Sequence, residues 1–213
     1  PTRRRRSRGA SEMPNAYSLK FKTTLNRHLE AEGGYANVAG DLGGETYKGI
    51  ARRYHGGWLG WARIDAAKRQ PNFSDFSVVL ETNGELQSDV QAFYHEKFWQ
   101  PMQLESVAKQ EVANEMFDIG AGPNGMSIAI KIAQGALILL GKNIDLDGKI
   151  GSKTVEALNG YPHSADLVKL MNGLQLTAML VGSANIDEFV NMIRDLKHLL
   201  QRFLRGWLKR ITI

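Results

Sequence analysis

The chain has 213 residues, 43% hydrophobic and 23% charged, enough to bury one substantial core or two small ones and too ordinary for wholesale disorder. It contains no cysteine, which excludes disulfides and thiolate metal sites. The formal charge of +5 is uneven: residues 1–10 hold five arginines and no acid, so the remaining 203 residues carry 22 bases against 22 acids.

Residues 1–16 lack apolar periodicity and are expected to form an Arg-rich flexible arm. No apolar h-region follows Arg3-Arg4-Arg5-Arg6, and no run of about 18 apolar residues exists elsewhere, so neither a signal peptide nor a transmembrane segment is expected. From Tyr17 the spacing of Phe21, Leu25, Leu29 and Glu32 predicts a helix with Glu32 on its buried stripe, in the last turn. Gly33-Gly34 stops it, and the glycine-rich stretch to Gly49 reads as turns or a small irregular hairpin. A short helix over 46–55 is expected, interrupted by Gly56-Gly57-Trp58-Leu59-Gly60-Trp61.

Leu86, Val90, Phe93, Tyr94 and Lys97 mark another amphipathic helix that Pro101 ends near Trp99. Val112, Met116 and Ile119 mark the next, before the loop Gly120–Gly125. Ile128, Ile132, Ala136, Leu139 and Leu140 belong to the most apolar helix, which should be central to the core. Asp145-Leu146-Asp147-Gly148 resembles the start of a calcium loop, but Ser152 and Lys153 break the ligand run, so a turn with a helix cap is the better reading. A helix from 152 or 153 to 158 and two more, roughly 164–181 and 186–210, complete a mainly helical chain without a fixed-period repeat.

The chemistry concentrates in Glu32 to Ile50. A carboxyl at the end of an apolar helical face loses solvation, which favours its protonated form and suits a general acid. Asp41, in a glycine-rich and better solvated loop, stays ionised more readily. Two carboxyls driven apart in this way are what glycoside hydrolysis needs, one to protonate the leaving oxygen and one to orient water or stabilise charge on the sugar. Each has a plainer alternative: a helix-end carboxylate for Glu32, an Asx-turn for Asp41, an N-cap for Thr46, and a first-turn acid for Glu45. His28, four residues before Glu32, reads as a structural or exposed helical histidine. No His/Asp/Glu cluster has convincing metal spacing, and no metal or other cofactor is expected.

In the run EGGY (Glu32–Tyr35), Asp41, Gly43-Gly44-Glu45-Thr46 and Gly49-Ile50, the sequence resembles the glycoside hydrolase family 108 lysozymes. The resemblance continues through Trp58, Trp61, Asp65, Phe93-Tyr94, Phe98-Trp99 and Met116-Phe117-Asp118. Asp147-Gly148-Lys149-Ile150-Gly151-Ser152-Lys153-Thr154 is similar to the DGxxGxxT element of that family's peptidoglycan-binding region. One departure is Ile119–Gly125, where the family usually shows an Asn-containing stretch after its Phe-Asp. The Glu–Asp–Thr order, with gaps here of eight and four residues, is also similar to that of T4-type phage lysozymes.

The resemblance implies an all-α, lysozyme-like fold with a small irregular hairpin, a catalytic region over 17–104, and a helical C-terminal region over 105–213 that binds peptidoglycan and packs against it. It implies cleavage of the β-1,4 bond between N-acetylmuramic acid and N-acetylglucosamine, with Glu32 as acid and Asp41 and Thr46 positioning water. Tyr35, Asn37, Tyr47, Trp58 and Trp61 are the candidate substrate-binding residues. Because most aromatics are core, only one or two of them, or of Trp99, should touch glycan.

The implied setting is a phage endolysin or virion-associated lysin, made in the bacterial cytoplasm and acting on the wall. The alternative is a non-catalytic virion or secretion-apparatus component that keeps the fold for glycan binding or assembly. The arm, residues 1–10, suits a polyanion such as nucleic acid or an anionic surface, or virion proteins. A basic amphipathic last helix can lie on a membrane, but packing on the body is favoured.

Overall fold

The computed structural model describes residues 17–37, 44–69 and 76–182, and of the C-terminal segment residues 185, 188, 191, 192, 195, 204, 206 and 208–210. The arm and Asp41 lie outside these residues.

Helix α1 spans Leu19–Ala31. Ser18 caps it, its hydroxyl accepting the Phe21 N–H at 3.1 Å, and Phe21, Thr24, Leu25 and His28 form the buried face. Glu32 follows with φ −85° and ψ 142°, already extended, because Gly33-Gly34 provides no further helical turn. Its side chain is 36% exposed, which corrects the expectation of a buried last-turn residue.

A three-stranded antiparallel sheet comes next: β1 (Tyr35–Ala36), β2 (Thr46–Tyr47) and β3 (Ile50–Ala51), in that order. Tyr35 pairs with Tyr47, Ala36 with Thr46, Thr46 with Ala51 and Tyr47 with Ile50. The helix expected over 46–55 is therefore a hairpin. Lys48 and Gly49 have φ of +46° and +77°, the left-handed pair that a two-residue hairpin turn with the right twist requires and that a helix excludes. Thr46 accordingly sits in a strand and caps no helix.

Helices α2 (Gly60–Lys68), α3 (Phe76–Thr82) and α4 (Gly84–Tyr94) pack on one another beside the sheet. A π-helical turn, His95–Trp99, extends α4 and a 3₁₀ turn, Leu104–Ser106, leads to α5 (Gln110–Ala121). Then come α6 (Gly125–Leu139), α7 (Ser152–Asn159) and α8 (Ser164–Val181). Helix α5 packs on α1, on the π-helical and 3₁₀ turns, and on α6 and α8, so it buries residues around most of its circumference. Helix α6 is almost wholly buried from Ala129 to Leu139, as its composition predicts. Helix α8 contributes Leu167, Met171, Leu174 and Ala178 at helical spacing.

A polar seam runs between α1 and α5. Thr24 donates to Asn114 Oδ1 at 2.6 Å, and the Gln110 amide donates to both Thr24 Oγ1 and Asn114 Oδ1 at 2.9 and 2.7 Å. Fixed partners at this depth set the register of the two helices, since a slip would leave buried polar atoms unpaired.

The Asp147–Thr154 element is a turn, as expected, and its organiser is Gln134 on α6. The Gln134 carbonyl oxygen accepts the N–H groups of Asp147 and Gly148 at 3.1 and 2.9 Å, while its amide donates to Asp147 Oδ1 at 2.8 Å. Asp147 Oδ1 also accepts Lys149 N–H at 2.9 Å, and these contacts hold its carboxyl below the usual range. Gly148 has φ +67°, and a Cβ there would lie 2.6 Å from Ser127 Oγ. Of the segment expected as the last helix, most lies outside the described residues. Leu204 and Leu208 are buried, and the Leu208 carbonyl accepts Lys169 Nζ at 3.1 Å.

Candidate active site

Glu32 sits where α1 hands the chain to the sheet, so its backbone is held by a helix on one side and a hairpin on the other. The turn of that hairpin closes over it. A Cβ at Gly49 would lie 2.8 Å from Glu32 Oε2 and 2.8 Å from the Tyr94 hydroxyl oxygen, so only glycine admits the carboxylate so close to the turn. The Tyr94 hydroxyl donates to the Lys48 carbonyl at 2.7 Å and ties α4 to the same turn. Burial, and then the charge of Glu32, push the Tyr94 phenol well above its usual range, so it stays a neutral donor.

The other side of Glu32 faces His28. The imidazole is 7% exposed, with Nε2 3.8 Å from Glu32 Oε1 and Nδ1 3.0 Å from Asp118 Oδ1 on α5. The rings of Tyr94 and Phe117 meet it edge to face, each with centroids 5.3 Å away. Arg27 Nη2 lies 3.7 Å from Asp118 Oδ2. One turn earlier on α5, Glu115 is 6% exposed, and burial followed by the charge of Asp118 raises its carboxyl to about 7 against the pull of Arg27. Glu32, His28, Asp118 and Glu115 thus form one group of ionisable side chains, with His28 and Glu115 buried and Glu32 and Asp118 about one-third exposed.

The hairpin is anchored by a second charged group. Arg52 on the far side of β3 binds Asp65 of α2 through both terminal nitrogens, at 2.8 and 2.5 Å, and Glu45 at 2.8 Å; Glu45 also accepts from Lys68. The guanidinium stacks over Trp61, 5.1 Å from the ring centroid. Arg52 holds Asp65 below the usual carboxylate range. Burial alone would raise Glu45, but hydrogen bonds from Lys68, Arg52 and Tyr35 outweigh it and bring the group down. Glu45 is therefore a strut between the hairpin and α2, in place of the first-turn acid expected from sequence.

Of the other residues singled out from sequence, Thr46 lies in β2 opposite Ala36 and Ala51, half-buried, and Asn37 is exposed just beyond β1. Tyr35 is half-buried, its ring edge on Phe76 and under Lys68 Nζ. Tyr47 and Trp61 are 1% and 2% exposed and offer no face to a polymer, which corrects their assignment as substrate-binding residues. Burial pushes the Tyr47 phenol up to about 12; it accepts from Gln87, and Trp61 donates to the His55 carbonyl. Trp99 is buried too, donating to Glu105. Trp58 is partly exposed and donates to the Asp89 carbonyl at 3.1 Å; it lines a concavity of about 420 Å³ with Tyr54, His55, Phe93 and Lys97.

Sequence reasoning placed His28 near Glu32 but read it as a structural or exposed residue, and it missed Asp118 as the partner of His28. The spacing of four between His28 and Glu32 was available as a signal, but Asp118 is 90 residues from His28 and no periodicity connects them.

Two family models match the chain: Glycosyl hydrolase 108 over residues 25–122 and Predicted Peptidoglycan domain over residues 128–212. The first ends in the turn that follows α5, and the second begins inside the first turn of α6. Among solved structures, that of Brucella abortus SagA is similar over 85% of this chain and 95% of its own, with 20% identity and a TM-score of 0.48. No curated protein matches.

Proposed function

We propose that this chain, a member of the glycosyl hydrolase 108 family that carries a C-terminal predicted peptidoglycan domain, is a lysozyme that cleaves the β-1,4 bond between N-acetylmuramic acid and N-acetylglucosamine. The coarser statement, a peptidoglycan hydrolase, follows from the two matched families together. The finer one rests on the position of Glu32: a carboxyl at a helix end, about one-third exposed, with one oxygen against the hairpin turn and the other toward a buried imidazole.

Glu32 in its protonated form gives its proton to the glycosidic oxygen as the bond to the anomeric carbon breaks, and water attacks that carbon. Positive charge developing on the sugar is favoured by the carboxylate left behind. Asp41 and Thr46 position the water, and Asp41 takes the proton that the water loses as it attacks. Asn37, Tyr35 and Trp58 are the remaining substrate-binding candidates, and the C-terminal helices hold the wall polymer.

The enzyme serves as an endolysin or virion-associated lysin, with residues 1–10 engaging a polyanion or virion protein. Deleting those residues should weaken binding to DNA and flatten its salt dependence by several units of log–log slope; an unchanged slope removes nucleic acid as the partner. For the catalytic assignment, Glu32→Gln should abolish lysis of purified cell walls while circular dichroism and the melting curve stay as in the parent protein. Retained lysis overturns the assignment; absent lysis by both proteins, with wall binding intact, leaves the glycan-binding component instead.

A further inference from the structure

Helix α4 turns a second face to a wall that the step just described does not use. The Tyr94 hydroxyl reaches the hairpin turn over Glu32, whereas Phe93, one position earlier, meets the rings of His55 and Trp58 with centroids 4.8 and 6.2 Å away. The concavity of about 420 Å³ opens there, between the loop that follows β3 and the side of α4 with its π-helical extension. His28, Gly49 and Tyr94, the residues against Glu32, are not among those that line it.

Its walls combine flat apolar surface with unpaired polar groups. Trp58 is fixed: its indole N–H donates to the Asp89 carbonyl at 3.1 Å, and its ring meets Trp61 and Phe93 edge to face. Tyr54 and Leu59 on the same loop are 69% and 73% exposed, large side chains left in water around a concave surface. Between them Gly56 and Gly57 present bare backbone, and neither N–H has a protein acceptor among the described residues. The ring nitrogens of His55 have no hydrogen-bond partner among those residues either. Burial, and then the charge of Lys97, lower the imidazole pKa, so the ring is neutral, with one nitrogen a donor and the other an acceptor. The charges around it cancel in pairs: Asp89 is bound by Arg63 Nε at 2.6 Å, and Glu96 and Lys97 are exposed neighbours on the rim.

A wall without net charge gives a polyanion little to hold. It suits a neutral ligand with an apolar face, hydroxyls that both donate and accept, and an amide, and the N-acetylhexosamines of peptidoglycan have all three. We propose that this concavity is a second glycan-binding site, in which an N-acetylhexosamine lays its ring face on Trp58 and Tyr54 while its acetamido and hydroxyl groups meet the Gly56-Gly57 backbone, His55, Glu96 and Lys97. The choice of sugar rests on the chain acting on peptidoglycan. A strand held here, away from the residues around the acid, keeps the catalytic domain on insoluble wall between cleavage events by raising the local concentration of further bonds.

Nuclear magnetic resonance of the full chain carrying Glu32→Gln, titrated with the β-1,4 trimer of N-acetylglucosamine, tests this. Backbone amides over 54–59 and 89–97 and the Trp58 indole N–H should shift and saturate. The β-1,4 trimer of glucose, which lacks the acetamido group, should bind at these amides about fivefold more weakly or worse. Tyr54→Ala removes a side chain that stands in water, and Gly57→Val adds one where a Cβ meets no atom within 4 Å, so both should fold as the parent does. Each should raise the dissociation constant read at 89–97 about fivefold or more, while any response of amides over 32–37 and 44–51 stays as before. No shift at 54–59 and 89–97, shifts there that neither variant weakens, or equal affinity for the glucose trimer overturns the inference. Wall lysis judges the catalytic reading apart from this: Glu32→Gln that still lyses walls overturns the acid and leaves the binding result standing, and failed binding with Glu32→Gln inactive leaves the acid in place.

Discussion

Glu115 offers the sharpest energetic test of the α1–α5 arrangement. Its carboxyl is nearly inaccessible on α5, beside Asp118, and titrates near 7 in the folded chain against 4.5 as its ordinary value. The folded state therefore favours the protonated form. Its stabilising effect is complete below 4.5, is lost progressively as pH rises from there to about 7, and is gone above that. At about 1.4 kcal/mol per unit, the shift corresponds to about 3 kcal/mol between pH 4 and pH 9.

Glu115→Gln keeps the shape and removes the titration, so the difference between the melting temperatures of variant and parent isolates this one group. For a chain of this length about 3 kcal/mol is worth roughly 6–12 °C. Scanning calorimetry from pH 4 to pH 9 should show the variant gaining that much on the parent, most of it between pH 4.5 and 7. A difference that stays flat across the range would refute the placement of Glu115 in a dry, acid-flanked site. Asp118→Asn should reduce the parent's loss, because it removes the neighbouring negative charge.

Gly49→Ala places a methyl group against Glu32 Oε2 at a residue with φ +77°, so it should cost about 1–2 kcal/mol in a denaturant melt and lower kcat more than stability alone explains. Arg52→Ala strands Glu45 and Asp65 and should cost about 1–3 kcal/mol, with faster hydrogen exchange at 46–51 than in α8. Gln134→Ala removes the hydrogen bonds that shape the Asp147–Lys149 turn; a loss of about 2 kcal/mol in thermal melts, unaffected by added calcium, is the expected result.

Much of the helical architecture was legible because it repeats. The stripes of α1, α4, α5, α6 and α8 carry apolar residues at helical spacing over two or more turns, and burial then follows from geometry. The region between α1 and α4 was not legible in this way. Strands β1 to β3 are two residues each, too short for alternation to register, and the hairpin is decided by a left-handed lysine that sequence does not mark. Helix α2 starts inside a glycine-rich run because the Trp58 ring folds over Gly60, where a Cβ would meet it at 2.3 Å.

The site was legible to the extent that it is local. Glu32 and the turn that covers it lie within eighteen residues of sequence and share one glycine-rich signature. The aromatic residues divided by burial, Tyr47 and Trp61 inward and Trp58 partly outward, which depends on long-range packing against α3 and α4. The His28–Asp118 contact depends on how α5 returns to α1, and no short-range pattern encodes it.

The central claim is that Glu32 protonates the oxygen linking N-acetylmuramic acid to N-acetylglucosamine. Mass spectrometry of purified peptidoglycan after digestion tests it most directly. Fragments ending in a reducing N-acetylmuramic acid, formed by the parent protein and absent with Glu32→Gln, are the predicted result. Fragments ending in a reducing N-acetylglucosamine, or the same fragments at the parental rate from Glu32→Gln, would contradict it.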